Sequence, residues 1–244
     1  MSTRVSGPEH NRLSLVALVH GDPDGYKKLS DLFQQLRPDY ITVEASSYGI
    51  EFRKQHSTRL LNELGRRTAR LVIKKGQSPG GDQHSESISR ALGLGAIESI
   101  VRQFRMPYEV RAARDYGKTR SVQWEPIDLD RHSEIHTATW ESLVSEDNLR
   151  VLLKMEQPAH AHTVASEKRR ALSALKAETS VGAIPDDLQE RDKAMADYLE
   201  SILVTRSYKS IVHIGGWRHM IPGEPQNLLA RLTSHDPTLY FLGP

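Results

Sequence analysis

The sequence predicts an α/β protein: a central, mostly parallel sheet flanked by helices, with a helical subregion. Three observations carry this. Residues 13–19 (LSLVALV) form a near-continuous apolar run of strand length, the pattern of a strand covered on both faces. Within about thirty residues a turn, an amphipathic helix and a second β-branched strand follow, the spacing of a right-handed βαβ crossover. Near the other end, residues 210–214 (SIVHI) repeat the buried-strand pattern.

The first twelve residues are polar and read as a flexible lead, which places a single α/β domain at 13–244. The first strand stops at His20. Gly21, Asp22, Pro23, Asp24 and Gly25 then force a tight turn, so His20, Asp22 and Asp24 are presented at the C-terminal end of the strand. Open α/β sheets bind ligands at that edge. The same residues also suit a plain turn followed by a helix cap. In residues 26–36, Leu29, Leu32, Phe33 and Leu36 take the i, i+3, i+4, i+7 places of an amphipathic helix, which Arg37-Pro38-Asp39 ends. Tyr40-Ile41-Thr42-Val43 is the second strand, and it delivers Glu44 to the same edge. A carboxylate ending a buried strand needs a partner, because an unpaired buried charge is costly.

Residues 46–73 are helical, and their many arginines read as a solvated face. Residues 74–83 (KKGQSPGGDQ) are the clearest loop, a candidate lid and the internal segment expected to be most mobile. Their spacing fits no phosphate-binding loop. Residues 85–104 predict a helix, while 106–110 and 124–129 look strand-forming, the latter ending on Asp128 and near Asp130. The stretch 133–203 is mostly helical and is expected as an insertion, with helices around 135–155 and 166–177. His160 and His162 form a His-x-His pair read as part of a surface loop. Pro185 opens a long final helix whose first acids, Asp186 and Asp187, complement its dipole. Glu190, Arg191 and Asp192 stand together in it as a charged cluster. After strand 210–214, Gly215-Gly216 are expected to break the strand and set His219 just beyond its end, available as a metal ligand or general base. His213, inside the strand, reads as a core or supporting histidine.

Composition narrows the function classes. Lys and Arg number 33 against 31 Asp and Glu, a net charge of +2 with both signs interspersed, so there is no electrostatic case for nucleic acid or anionic membrane as a partner. With no cysteine, thiolate catalysis, disulfides, iron–sulfur clusters and Cys-ligated zinc are excluded, leaving His, Asp and Glu for any metal. No apolar window approaches a membrane span and the N-terminus has no apolar signal core, so a cytoplasmic location is expected.

The segments VHGDPDG, RPDYITVEAS, IDLD, LQERDKAMADYL and IVHIGGWRH follow one another over most of the chain. Together they resemble the TraB/PrgY–Tiki superfamily, related to EreA and ChaN. Glu190-Arg191-Asp192 ahead of Met195-Ala196 is similar to the pattern of that superfamily's late helix. One position departs: where the first Gly-x-x-His would carry its histidine, this chain has Asp24. The resemblance implies an α/β fold and, from Tiki-like and EreA-like members, a metal-dependent hydrolase acting on a peptide, ester or related small molecule. ChaN-like members imply instead a non-catalytic haem-binding protein, with haem held at a homodimer interface. An aromatic content of 6% disfavours so large a planar pocket.

The residues are compatible with the hydrolase. A hydrolytic metal site needs about three N or O ligands and an open position. Asp22, Asp24, Glu44 and His219 are the candidate ligands of a divalent metal ion, with Glu44 and His20 as candidate acid–base groups. Arg191 is the candidate for binding a carboxylate or oxyanion, with Arg218 and Arg53 behind it. A competing reading makes Glu44–Arg191 a buried salt bridge and gives His219 to a carbonyl. The two differ in the expected effect of Glu44→Gln: relief of repulsion among acids stabilises, whereas loss of a salt bridge destabilises.

Overall fold

A six-stranded sheet carries the unit that holds the candidate residues. In the computed structural model its order is β1 (Thr3–Arg4), β6 (Thr238–Phe241), β2 (Leu13–Leu18), β5 (Ile211–Gly216), β3 (Tyr40–Val43) and β4 (Gln123–Pro126). Short β1 pairs antiparallel with β6, and the remaining five strands are parallel, the α/β architecture that the sequence predicts. The described residues are 3–4, 12–75, 91, 93–154, 160–176 and 185–243. They group into two compact units, one of Met1–Ser47, Pro107–Leu129 and Val164–Pro244, the other of Tyr48–Met106 and Asp130–Thr163.

In the first unit β5 is central. It runs in register with β2 from Leu13↔Ile211 to Leu18↔Gly216 and with β3 from Tyr40↔Ile211 to Val43↔Ile214. Every residue of β2, β3 and β5 is buried, as continuous apolar runs in a doubly covered sheet require. Their parallel register brings the residues that follow Val19, Val43 and Ile214 to one edge of the sheet.

On one side lie α1 (Gly25–Leu36) and α4 (Tyr108–Arg120), where the Phe33 and Tyr116 rings meet at 5.1 Å. A methyl group on Gly25 would overlap the Tyr108 ring, so this glycine permits the close approach of the two helices. A second core joins Leu13, Leu15 and Ile211 to Met195, Leu199 and Ile202 of α9 (Asp186–Thr205) and to Ala171 and Leu175 of α8 (His160–Leu175). Each of the leucine, isoleucine and methionine side chains among them contributes about 1.5–3 kcal/mol on burial.

The second unit is helical. It contains α2 (Ser47–Lys75) from Tyr48 onward, α3 (Gly95–Phe104), α5 (Asp130–Ala138), α6 (Trp140–Leu143) and α7 (Glu146–Leu152). Leu60, Leu64, Ile97, Phe104 and Leu149 pack around the fully buried Trp140. The arginines of α2 divide between two roles. Arg59, Arg66 and Arg70 are exposed and paired with Glu141, Glu63 and Glu146, whereas Arg53 turns inward over Trp140, 5.0 Å from the ring, and donates to the carbonyls of Gly49 and Gln103.

Several expectations are corrected. Residues 106–110 do not form a strand: Pro107 caps α4, whose buried Tyr108, Ala112, Ala113 and Tyr116 keep a helical period. Gly215-Gly216 do not break β5 but complete it, because they continue its pairing with Ala17 and Leu18 of β2. His160 opens α8 rather than lying in a loop. The stretch 133–203, expected to be inserted or packed to one side, is shared between the two units, the helical one up to Thr163 and the sheet unit from Val164. Strand β6 was not anticipated. Within the expected lead, Thr3–Arg4 pair with β6, and Arg12 donates to the carbonyls of Leu203, Arg206 and Tyr208. Lys74 and Lys75 still belong to α2, while the rest of the expected loop, 76–83, and the start of the expected helix, 85–90, lie outside the described residues. No described helix is long and apolar enough to cross a membrane.

Candidate functional site

Glu44 stands one residue past the end of β3, its N–H held by the carbonyl of Ile214 in β5. That bond carries its side chain over the tip of β5, where four groups meet it. Gly216 N–H donates to Oε2 at 2.5 Å and Arg191 Nη2 to Oε1 at 2.5 Å. His219 Nε2 donates to Oε1 at 2.9 Å, and His20 Nε2 stands 3.7 Å from Oε2. A methyl group on Gly216 would come within 2.8 Å of His20 Nε2 and 3.3 Å of Glu44 Oε2, so glycine is what lets both side chains cross the strand end.

Each histidine is held from behind. His219 lies on the 3-10 turn Trp217–Met220 that follows β5, and its Nδ1 donates to Asp192 Oδ1 at 2.5 Å. His20 Nδ1 donates to Glu109 Oε1 at 2.7 Å. Asp192 and Glu109 are both buried. A carboxylate at Nδ1 fixes the rotamer and tautomer of an imidazole and leaves Nε2 as its working face. Both rings therefore turn Nε2 toward one carboxylate. Arg191 is fixed likewise, its fork spanning Asp128 with Nε to Oδ1 at 2.9 Å and Nη2 to Oδ2 at 2.7 Å.

The charges follow from this geometry. Burial works against ionisation of Glu44, but His219 and His20 outweigh it and hold the carboxyl well below its ordinary range. Burial likewise disfavours charge on His219, yet Glu44 and Asp192 push it up to about 9. Burial raises Asp192, with His219 pulling the other way, so both partners of the 2.5 Å bond hold their proton more tightly than usual. His20 is raised well above its ordinary value by Glu109 and Glu44 against the effect of burial, although half of its side chain is exposed. The site is thus a buried carboxylate held among two imidazoles and a guanidinium, each of which has a further acid behind it.

His20, Glu44, Arg191 and His219 are thus brought together from four distant parts of the chain. Asp22 and Asp24 are not joined to them by any hydrogen bond or ion pair among the described residues. Asp22 is buried but turned to Lys168 at 2.8 Å and Lys28 at 3.6 Å, and its Oδ1 accepts from the N–H of Asp24. Asp24 is exposed at the head of α1. Of the other arginines considered, Arg53 belongs to the helical unit, and Arg218 lies over Trp217 and pairs with Glu167. Glu109 gave no signal in sequence, because it sits where a strand was expected. Asp192 had one, standing beside Arg191 in the charged cluster.

A divalent metal does not fit this arrangement. Among the described residues no three His, Asp or Glu side chains are grouped to hold one. Both oxygens of Glu44 are committed to protein donors, and each imidazole would first have to surrender a proton. Scans of protein-family models, of curated proteins and of solved structures return no match to the chain.

Proposed function

We propose that this chain is a hydrolase with an acid–base site, acting on a peptide, ester or related small molecule, as its resemblance to Tiki-like and EreA-like proteins implies. One observation supports this above all: two histidines, each backed by a buried carboxylate, turn Nε2 to a single glutamate. A general base or acid needs this fixing of ring and tautomer. His20 is the working group, because it alone of the four is half exposed. Neutral His20 takes a proton from water as the water oxygen bonds to the substrate carbonyl carbon. It returns that proton to the alcohol or amine when the C–O or C–N bond breaks. Glu44, held by Arg191 and His219, is the fixed counter-charge that stabilises the His20 imidazolium between those steps.

The test is hydrolysis of a panel of p-nitrophenyl esters and fluorogenic peptides from pH 6 to 10. Turnover is expected to rise with pH, since the base is the deprotonated form of a ring whose pKa is raised. His20→Asn is expected to lower it about 10²–10⁴-fold. Wild-type rates equal to those of His20→Asn at every pH would refute the reading.

A further inference from the structure

His213 is fully buried in β5, in register with Thr42 of β3, and its Nδ1 lies 2.9 Å from Thr42 Oγ1. Its Nε2 is buried with no hydrogen-bond partner. Polar groups are rarely left so in a protein interior, since an unsatisfied one loses its bonds to water and gains none in return. Gly215 shows where that nitrogen faces. A methyl group there would stand 3.2 Å from His213 Nε2, 3.0 Å from Glu44 Oε2 and 3.3 Å from the Met220 methyl. The imidazole nitrogen and the carboxylate oxygen therefore both approach the bare Cα of Gly215, closer than a side chain there would readily allow. One water molecule bridging the two polar groups would give Nε2 the partner it lacks among the protein atoms.

We propose that His213 is a positioning residue for Glu44, the two holding a buried water between Nε2 and Oε2 over Gly215. The Thr42 hydroxyl donates to Nδ1, which places the ring proton on Nε2. Nε2–H donates to the water, and the water donates to Oε2. Burial pushes the ring's pKa down to about 3, so His213 stays neutral and its tautomer decides the outcome. With this water each oxygen of Glu44 has two close donors, Arg191 and His219 on Oε1 and Gly216 N–H and the water on Oε2, with His20 Nε2 farther off at 3.7 Å. The carboxylate cannot rotate, and His20 is left as the one group free to move toward a substrate. The functional meaning rests on the hydrolase reading; the geometry does not.

The full chain labelled with ring-¹⁵N histidine tests this by NMR at pH 7. The expected result is the neutral Nε2–H tautomer for His213, with magnetisation transfer from its Hε2 to water. In Gly215→Ala, whose methyl crowds both groups, that transfer is expected to vanish and the His219 ring resonances to move. His213→Gln, which keeps a donor, is expected to leave the His219 resonances nearer to wild type than His213→Leu does. The Nδ1–H tautomer in the wild type overturns the proposal, as does a His219 ring indifferent to Gly215→Ala. Should Gly215→Ala not fold, Thr42→Val serves instead. Loss of its hydroxyl is expected to shift His213 toward the Nδ1–H form, and an unchanged ring overturns the assignment. None of these signals needs turnover, so absent hydrolysis overturns only the functional reading and a wrong tautomer only this one.

Discussion

Glu44 is the residue on which the site turns, and its low pKa gives the sign of its effect on stability. The sequence left two outcomes open for Glu44→Gln. The structure points to loss of stability, because the nearest partners of Glu44 are Arg191 and His219, which donate to Oε1, and His20, 3.7 Å from Oε2. Removing one member of a buried ion pair costs about 3–5 kcal/mol, much of it from the partner left uncompensated. The pH dependence follows by linkage. His219 has a raised pKa in the folded chain, so its contribution is complete below the unfolded value of 6.5 and lost as pH rises through about 9. Glu44 has a depressed one, so its contribution is complete above 4.5 and lost as pH falls through its folded value. Stability from the pair is therefore greatest between about 4.5 and 6.5. Urea unfolding of wild type and Glu44→Gln should show a gap on the order of 3 kcal/mol at pH 6 that narrows past pH 9. A gap that is constant with pH, or a more stable variant, would contradict this account of His219 and Glu44.

At the scale of elements, the turn after β2 does a different task from the one its sequence suggests. His-Gly-Asp-Pro-Asp looked like a single cluster of ligands. In the fold it splits: His20 faces Glu109 and Glu44, Gly21 turns at φ +75°, and Asp22 points to Lys168 of α8 and Lys28 of α1. The turn closed by the Asp22 N–H on the Val19 carbonyl, with Gly21 in the left-handed region, redirects the chain between His20 and Asp22, so closeness in sequence was a poor guide to closeness in space. Helix α8 is tied down a second time by Glu167, which accepts from Trp217 Nε1 at 3.1 Å. Asp22 is thus an anchor for two helices and not a member of the site. Asp22→Asn is expected to lower the unfolding free energy by about 3 kcal/mol, since it leaves Lys168 without its buried partner. It should leave the ring resonances of His219 and His20 unchanged at pH 7. Movement of those resonances as large as that caused by Glu44→Gln would return Asp22 to the site.

For the whole molecule, what was legible followed from period and order. The buried strands at 13–19, 40–43 and 210–214 could be read because a doubly covered parallel strand is apolar throughout, and their shared edge then followed from the crossover rule. His20, Glu44 and His219 were found because each ends or follows such a strand. Glu109 and Asp192 were not assigned their partners, since what joins them to the site is packing of α4 and α9 on the sheet, and Thr42 was not because the register that sets it beside His213 pairs strands far apart in sequence; no local pattern encodes either. The metal expected from the resemblance is where sequence and geometry part, and the whole protein reports on it through its melting temperature. With His219 at about 9, only about one ring in a hundred is neutral at pH 7, which alone weakens binding of a metal about a hundredfold. Arg191 and Gly216 would have to give up Glu44 as well. A ligand at a hundred times its dissociation constant adds about 2.7 kcal/mol, several degrees in a chain of this size. Zinc or manganese added in tenfold excess at pH 7, against a chelator control, is therefore expected to leave the melting temperature unchanged. A rise of several degrees that disappears in both His20→Asn and His219→Gln would show that the cluster reorganises around a metal, and the acid–base role given to His20 would then pass to a metal-bound water.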